Sequence, residues 1–412
     1  MSKNVFLIFG FIILFISYIK YNEIIYFSNN SNLNEVNIKD KYLKYINSPL
    51  PIEHMVKLTD ELLICSGLQY PKIFITKEYL VNKIIDGSLF LYNIEEDKLE
   101  PLKIENFPKS VPFHPHGISL YKINMEKYYL FIINHSIKTE YGNNEERIEK
   151  VLLTIDNYKK KNQQLSLSFK NTITLPQNYF GTLNSLAVIN LNTIYFTTQN
   201  YFPLPYFSKE PKNIIDYIDI IKLKIFDWFN IIFQKLNLKK TYLYSYNWDN
   251  GKITLIQNSE GLSNHGLAYN QEKLILYMAS SHEKEIKIFE ISRNDPTKAL
   301  LIGNIKTIYN VGNIFYDSEK EKLYAGIYGS TSELINLENN YIKNGDFEDV
   351  TTFGGFEEID INNNYDINDI ILMKNEIKGV SSGIKINNVI YLSSPYQTFL
   401  LIYQRKNSSI HF

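Results

Sequence analysis

Six residues of this chain combine side-chain types and spacing that could do chemistry: His116, His135, Glu53, Asn184, Asn264 and Asn313. His116 lies in the run F-H-P-H-G-I-S, Phe113–Ser119, and His135 ends the following strand-like run. Such spacing brings two imidazoles together from neighbouring strands, as a relay needs when one takes a proton and the other orients it. It equally suits a pair of buried, hydrogen-bonded histidines with no catalytic duty. A zinc site would want three His or carboxylate side chains converging. Glu53 with Asn184, Asn264 and Asn313 makes an all-oxygen set of one carboxylate and three amides. Hard cations take such ligands, and Ca²⁺ tolerates neutral amides and irregular geometry better than Mg²⁺ does. A cation there could polarise an ester carbonyl and stabilise the charge that develops when water attacks. The plainer reading is polar strand capping around a wet channel. No G-x-S-x-G, Walker loop or C-x-x-C motif competes.

The elements that must position these residues repeat along the chain. The His116 run leads through Leu120, turns near Asn124–Lys127 and returns through Tyr128–Ile133 in β-branched and aromatic residues. Glu53-His54 leads in the same way into Leu62–Ser66, Asn184-Ser185 into Thr193–Thr198, and Asn264-His265-Gly266 into Leu274–Ser280. Gly312-Asn313 leads into Leu323–Gly329, and Gly379–Ser382 into Val389–Ser393. Six degenerate hairpins at intervals of roughly 50 to 80 residues predict a radially repeated all-β sheet, a six-bladed β-propeller spanning about residues 40–405. Propellers converge the starts of their innermost strands on a central channel. Five of these starts carry a polar residue of ligand or base type, which makes Glu53, His116, Asn184, Asn264 and Asn313 candidates for one site. The strand at Leu400–Tyr403 is expected to close the ring against N-terminal segments.

Composition supports a strand-rich globular body, since 44% of residues are hydrophobic and aromatics reach 14%. The net charge of −1 gives no electrostatic case for nucleic acid. Cys65 is the single cysteine, so no internal disulfide can form. Residues 1–27 read as a targeting segment, with Lys3 ahead of the apolar run Val5–Ile19 and Lys20 behind it. That run has the length of a signal-peptide core, and no small-residue cleavage site follows. An uncleaved signal-anchor is the expectation, with entry to the secretory pathway and an extracellular or membrane-attached protein. Asn29, Asn134 and Asn407 fall in N-glycosylation sequons, Asn134 inside a channel motif where a glycan would not fit. One interruption of the strand pattern, at about residues 208–237, shows polar residues at helical spacing over Asn213–Leu236. Its wide apolar face, with Trp228, Phe229 and Phe233, predicts an amphipathic helix at the channel mouth, packed as a lid or also touching lipid.

Several strings resemble the paraoxonase/arylesterase family: S-G-L-Q-Y-P at Ser66–Pro71, H-P-H-G-I-S at His114–Ser119, and I-N-H at Ile133–His135. L-N-S-L at Leu183–Leu186 and S-N-H-G at Ser263–Gly266 continue the series in family order. The resemblance runs from about Leu50 to Tyr403. It implies a six-bladed propeller with two calcium ions in its channel, a retained N-terminal hydrophobic segment, and calcium-dependent hydrolysis of lactones and aryl esters. It further implies that Glu53, Asn184, Asn264 and Asn313 ligate the catalytic calcium, and that His116 and His135 are the base and its partner. Tyr70 falls on a substrate-pocket tyrosine, and Asn213–Leu236 on a helix over the site that also contacts lipid.

The chain departs from that pattern at telling positions. Gly312 stands where the family has an Asp before the ligand at Asn313. His54 and Ser185 stand where a structural calcium is similar in needing two Asp side chains, which argues against a second ion. Two cysteines that staple the family's terminal blades are absent. Two functions therefore follow. One is a divergent hydrolase whose substrate is a small lipophilic ester or lactone. The other is a non-catalytic propeller of the same descent that binds a lipophilic ligand or a protein partner.

Overall fold

The computed structural model describes residues 41–70, 85–137, 144–156, 164–175, 181–201, 236–347 and 350–405, with single helical residues at 221, 225, 229 and 232. Six antiparallel sheets follow one another around a ring. Blade 1 holds strands Ile52–Lys57, Leu62–Gly67, Ser88–Asn93 and Lys98–Leu102. Blade 2 holds Pro115–Lys122, Lys127–Ile137, Asn144–Asp156 and Gln164–Thr174, with the short Ile104–Glu105 added in parallel at its edge. Blade 3 comprises Thr182–Asn190, Thr193–Asn200, Leu243–Asn247 and Ile253–Leu255; blade 4 comprises Asn264–Asn270, Ile275–Ser280, Glu285–Ile291 and Ala299–Lys306. Blade 5 runs Asn310–Asp317, Lys322–Gly329, Phe353–Asp360 and Asp366–Lys374. Blade 6 takes Ser382–Ile386, Val389–Ser393 and Phe399–Arg405 from the C-terminal end and Lys41–Asn47 from the N-terminal end. The expected six-bladed propeller and its closure are both present: Lys41 pairs with Arg405 and Asn47 with Phe399.

Local chemistry explains the hairpins. Asn387 and Asn388 both adopt positive φ (47° and 66°), the backbone that a two-residue turn between twisted strands requires. Asn124 accepts the amides of Glu126 and Lys127 through its side-chain oxygen and so closes the blade 2 turn. The apolar faces meet between blades. Ile64 and Leu89 of blade 1 pack on Ile118, Leu130 and Val151 of blade 2, all buried. Tyr324 and Phe356 of blade 5 pack on Leu392 and Leu401 of blade 6. Each fully buried aliphatic or aromatic side chain contributes about 1.5–3 kcal/mol, so these seams hold the ring.

One described helix was not anticipated. It is α1, Thr331–Asn344, inserted between the second and third strands of blade 5. Ser330 and Glu333 form a reciprocal capping box at its start, and Gly345 closes it in a left-handed conformation with φ of 81°. Its Leu337 packs with Leu68, Tyr70, Tyr328 and Tyr396. The helix expected over Asn213–Leu236 lies largely outside the described residues, as do the N-terminal segment 1–27 and the sequons at Asn29 and Asn407. Among the described residues no helix is long and apolar enough to cross a membrane.

Candidate functional site at the channel mouth

The inner strands of the blades begin with a common irregularity. Pairing with the second strand shifts register between Ile52 and His54, Pro115 and Ile118, Leu183 and Leu186, Asn264 and Leu267, and Val311 and Ile314. Such bulges re-aim side chains at sheet ends. In three blades the backbone frame at the bulge is the same. The carbonyls of Glu53, His116 and His265 accept hydroxyls from Ser381 (2.6 Å), Ser66 (2.5 Å) and Thr197 (2.7 Å) of the preceding blade. Two residues further on, the amides of Met55, Ile118 and Leu267 donate to Ser382 Oγ, His54 Nδ1 and Ser185 Oγ, again of the preceding blade. Glu53, His116 and His265 are therefore equivalent positions, and Asn264 lies one residue earlier, at the position of Ile52 and Pro115.

His116 and His135 are joined directly, His135 Nε2 lying 2.8 Å from His116 Nδ1. The other nitrogen of His135, Nδ1, lies 2.9 Å from Glu146 Oε2 and 3.1 Å from Oε1. Glu146 Oε2 also accepts the Leu183 amide at 3.1 Å. A carboxylate accepts only, so in the neutral pair a hydrogen on His135 Nδ1 makes His135 Nε2 the acceptor of His116 Nδ1–H. In that arrangement His116 Nε2 carries a lone pair, 3.3 Å from Glu53 Oε1, whereas a proton on it would be donated to that carboxylate. Glu146 had no place in the sequence reading. It sits on the third strand of blade 2, directly across from His135, and only the strand register brings it there.

Glu53, Asn184 and Asn313 are buried, and Glu53 Oε2, Asn184 Oδ1 and Asn313 Oδ1 have no hydrogen-bond partner. The amide nitrogens are committed, Asn184 Nδ2 to Gln199 Oε1 and Asn313 Nδ2 to the Glu53 carbonyl, both at 3.2 Å. That fixes the oxygens as the groups left over. Asn264 differs. Its Nδ2 donates to the Ser259 carbonyl and its Oδ1 accepts from Ser280. His265 is buried beside Tyr328, ring centroids 5.7 Å apart, and its Nδ1 has no partner. Burial, with smaller repulsions from His282 and His116, lowers its pKa to about 3, so the imidazole is neutral.

His54 and Ser185 accept the amides of Ile118 and Leu267, and burial with the neighbouring His116 lowers the pKa of His54 to about 3. With both groups so engaged, the residues present do not fit a second cation. Gly312 packs hard: a Cβ there would lie 2.6 Å from the Ser381 carbonyl oxygen and 2.6 Å from Tyr328 Cε2. A carboxylate could not be restored at this position without moving the backbone. Among the described residues no three His, Cys, Asp or Glu side chains have metal spacing, so any cation here depends on amide oxygens. Glu53 Oε2, Asn184 Oδ1 and Asn313 Oδ1 are nonetheless buried and unpartnered, which fits a divalent cation.

Tyr70 stands beside His116 with ring centroids 6.4 Å apart and edge-on to Tyr396 at 5.7 Å. Tyr328 donates to Glu53 Oε1 at 3.4 Å. Burial first, then the Glu53 charge, raises the pKa of both Tyr70 and Tyr328 well above the ordinary phenol range, so both keep their protons. Asn134, one of the three sequons, is buried and donates to Glu149 and to the Pro112 carbonyl, which leaves no room for a glycan.

The fold and site thus define a six-bladed propeller whose channel mouth carries a carboxylate-backed histidine pair beside unpartnered oxygens. Residues 41–222 match the arylesterase family model. Human serum paraoxonase/lactonase 3 is 24% identical over 279 residues, which cover 66% of this chain and 64% of that protein. Human serum paraoxonase/arylesterase 2 is 20% identical over 256 residues, 62% of this chain and 60% of that one. The matched region therefore spans less than two thirds of the length of these relatives. Among solved structures, a putative gluconolactonase covers 89% of this chain and 92% of its own at 10% identity, with a TM-score of 0.49. The resemblance to the paraoxonase/arylesterase family read from the sequence is met by the family model and by these relatives alike.

Proposed function

We propose that the chain hydrolyses small lipophilic lactones or aryl esters, with His116 as general base. The observation that supports this most is the line Glu146–His135–His116, which leaves the lone pair of His116 Nε2 beside Glu53 at the channel mouth. In this reading a water hydrogen-bonded to His116 Nε2 attacks the acyl carbon and gives its proton to that nitrogen. The new C–O bond forms as the carbonyl π-electrons move onto oxygen. When the carbonyl reforms, the ring or aryl C–O bond breaks, and the leaving oxygen takes a proton back from the imidazolium. His135 and Glu146 hold the tautomer and offset the transient positive charge. Tyr70, Tyr328 and Tyr396, with Leu337 of α1, form the apolar wall against which a lipophilic substrate would lie.

Glu53, Asn184 and Asn313 would hold a divalent cation, calcium on the family resemblance, and such an ion when bound would polarise the ester carbonyl. The Asn264 side chain, placed in the ligand set by the resemblance, is not needed for this. We further propose attachment to membrane or lipid through residues 1–27 and the Asn213–Leu236 segment, within the secretory pathway, on the strength of their apolar sequences. The loss of a carboxylate at Gly312 favours the second reading, a propeller that binds a lipophilic ligand or a protein partner without turnover. Turnover decides between them. Purified full-length protein with millimolar divalent cation should hydrolyse lactones or aryl esters, lose that activity with chelator, and lose roughly 10²- to 10⁴-fold in His116→Gln. Absence of any lactone or ester hydrolysis would leave the binding propeller.

A further inference from the structure

Four buried polar atoms at the heads of the inner strands have no hydrogen-bond partner: Glu53 Oε2 of blade 1, Asn184 Oδ1 of blade 3, His265 Nδ1 of blade 4 and Asn313 Oδ1 of blade 5. Three of them are oxygen acceptors, and such a set removed from water is unfavourable unless something positive or donor-rich meets it. His265 belongs to this set by its backbone, since its carbonyl and the amide two residues on are held as those of Glu53 and His116 are. The strand after it packs against the neighbouring ligand residue: a Cβ on Gly266 would lie 2.5 Å from Asn313 Cα. Its ring also faces Tyr328, whose hydroxyl reaches Glu53. The imidazole thus shares a wall with Glu53 and Asn313.

The chemistry of the four donors bears on which cation they suit. Calcium takes oxygen ligands, commonly six to eight, and gains most from carboxylates. This set offers one carboxylate, two amide oxygens and one imidazole nitrogen, and Gly312 adds nothing. Imidazole suits first-row transition ions, which also accept carboxylate and carbonyl oxygen. We propose that His265 Nδ1 is a ligand of the cation at this site, and that the mixed nitrogen and oxygen set selects a first-row divalent ion such as Mn²⁺ or Zn²⁺ over calcium. The inference rests on the cation site of the proposed function and refines which ion occupies it.

Full-length protein stripped with chelator would be titrated separately with Mn²⁺, Zn²⁺ and Ca²⁺ by calorimetry, and the Mn²⁺-loaded form examined by pulsed electron paramagnetic resonance for nitrogen coupling. Mn²⁺ or Zn²⁺ should bind at least about tenfold more tightly than Ca²⁺, as replacing one oxygen donor by imidazole suggests. His265→Asn, which puts an oxygen where the nitrogen stands, should weaken both transition ions by roughly tenfold, narrow the gap to calcium and abolish the nitrogen coupling. Asn184→Ala should weaken all three ions, a control that the shared site is being read, and circular dichroism of the stripped variants checks folding. Tighter calcium than manganese and zinc in the wild type would overturn the proposal. So would nitrogen coupling that survives in His265→Asn, or a wild type that binds none of the three. Hydrolysis is scored separately. A protein that binds Mn²⁺ through His265 and turns over no ester refutes the hydrolase and leaves the metal assignment standing.

Discussion

Replacement of Glu146 tests the histidine line most directly, because two substitutions separate its charge from its acceptor role. In Glu146→Gln, the Leu183 amide, which donates to Oε2 at 3.1 Å, selects the orientation that puts the new amide oxygen in that place. The same oxygen then accepts from His135 Nδ1, 2.9 Å from it in the wild type, and the tautomers of both histidines are preserved. The negative charge is lost, together with the second acceptor contact of Oε1 at 3.1 Å. A hydrogen bond to a charged group contributes about 1.5–3 kcal/mol and a neutral one about 0.5–1.5, so the imidazolium loses about 1–1.5 kcal/mol of support. At 1.36 kcal/mol per factor of ten, kcat for lactone hydrolysis should fall about tenfold. Glu146→Leu removes the acceptor altogether. Nothing then dictates hydrogen on His135 Nδ1, the lone pair at His116 Nε2 is no longer assured, and kcat should fall by roughly 10²- to 10⁴-fold with KM little changed. The Leu183 amide is also stranded, which should cost about 1–3 kcal/mol of stability. Nitrogen-15 spectra of the imidazoles provide a readout independent of any substrate: wild type and Glu146→Gln should show His135 protonated at Nδ1, and Glu146→Leu a mixture. Equal turnover and unchanged tautomers in Glu146→Leu would refute the line as drawn.

Gly312→Asp should not strengthen cation binding; the clash with the Ser381 carbonyl and the Tyr328 ring should lower stability by about 1–3 kcal/mol, read as the urea midpoint. A variant as stable as wild type that binds cation more tightly would show the seam to be softer than it looks. Acid should destabilise the fold through its buried neutral histidines. Burial lowers the pKa of His114 from 6.5 to about 4, so the unfolded chain takes up its proton first, and stability present above pH 6.5 is lost as the pH falls toward 4. Each such histidine contributes a slope of about 1.4 kcal/mol per pH unit in that window, and urea midpoints at pH 7 and 5 should differ less in His114→Gln. Midpoints that stay level from pH 7 to 5 would contradict this. The exposed helical residues Ile221, Ile225 and Phe229 form an apolar row at helical spacing, and Ile232 is buried. Replacing all three by Ser should reduce co-sedimentation with lipid vesicles, and unchanged partition would count against lipid contact there.

The repeat was legible because a hairpin is a local object. Polar heads, Asn-rich turns and β-branched returns recur in sequence, and Val389–Ser393 is a strand over the same residues that its pattern marks. Closure was legible too, since Leu400–Tyr403 was expected to meet N-terminal segments and pairs with Leu43–Ile46. What escaped was anything decided by register. Alternation with a period of two normally tells which residue faces inward, but the bulge between Asn264 and Leu267 breaks the count, and His265 rather than Asn264 falls at the position of Glu53 and His116. Glu146 depended on a pairing across strands that sequence spacing cannot fix. Helix α1 is a different case. Its signal, Ser330 followed three residues later by Glu333, stands in the sequence within a run of strand-forming segments.

The seam between Lys41–Asn47 and Phe399–Arg405 has a consequence for the order in which the molecule is made. Lys41 meets Arg405, a partner 364 residues further along (405 minus 41). At the usual ribosomal pace of about 5–20 residues per second, that partner arrives roughly 20–70 s later. Throughout that interval the strand Lys41–Asn47 lacks its sheet partner, and five blades can assemble while the ring stays open. With Cys65 as the single cysteine, no disulfide can hold the gap shut afterwards. The strand Phe399–Arg405 is therefore the latch, and a chain cut short before Phe399 would present an unfinished edge, with Tyr42 and Tyr45 on a strand still waiting, to every other nascent copy nearby.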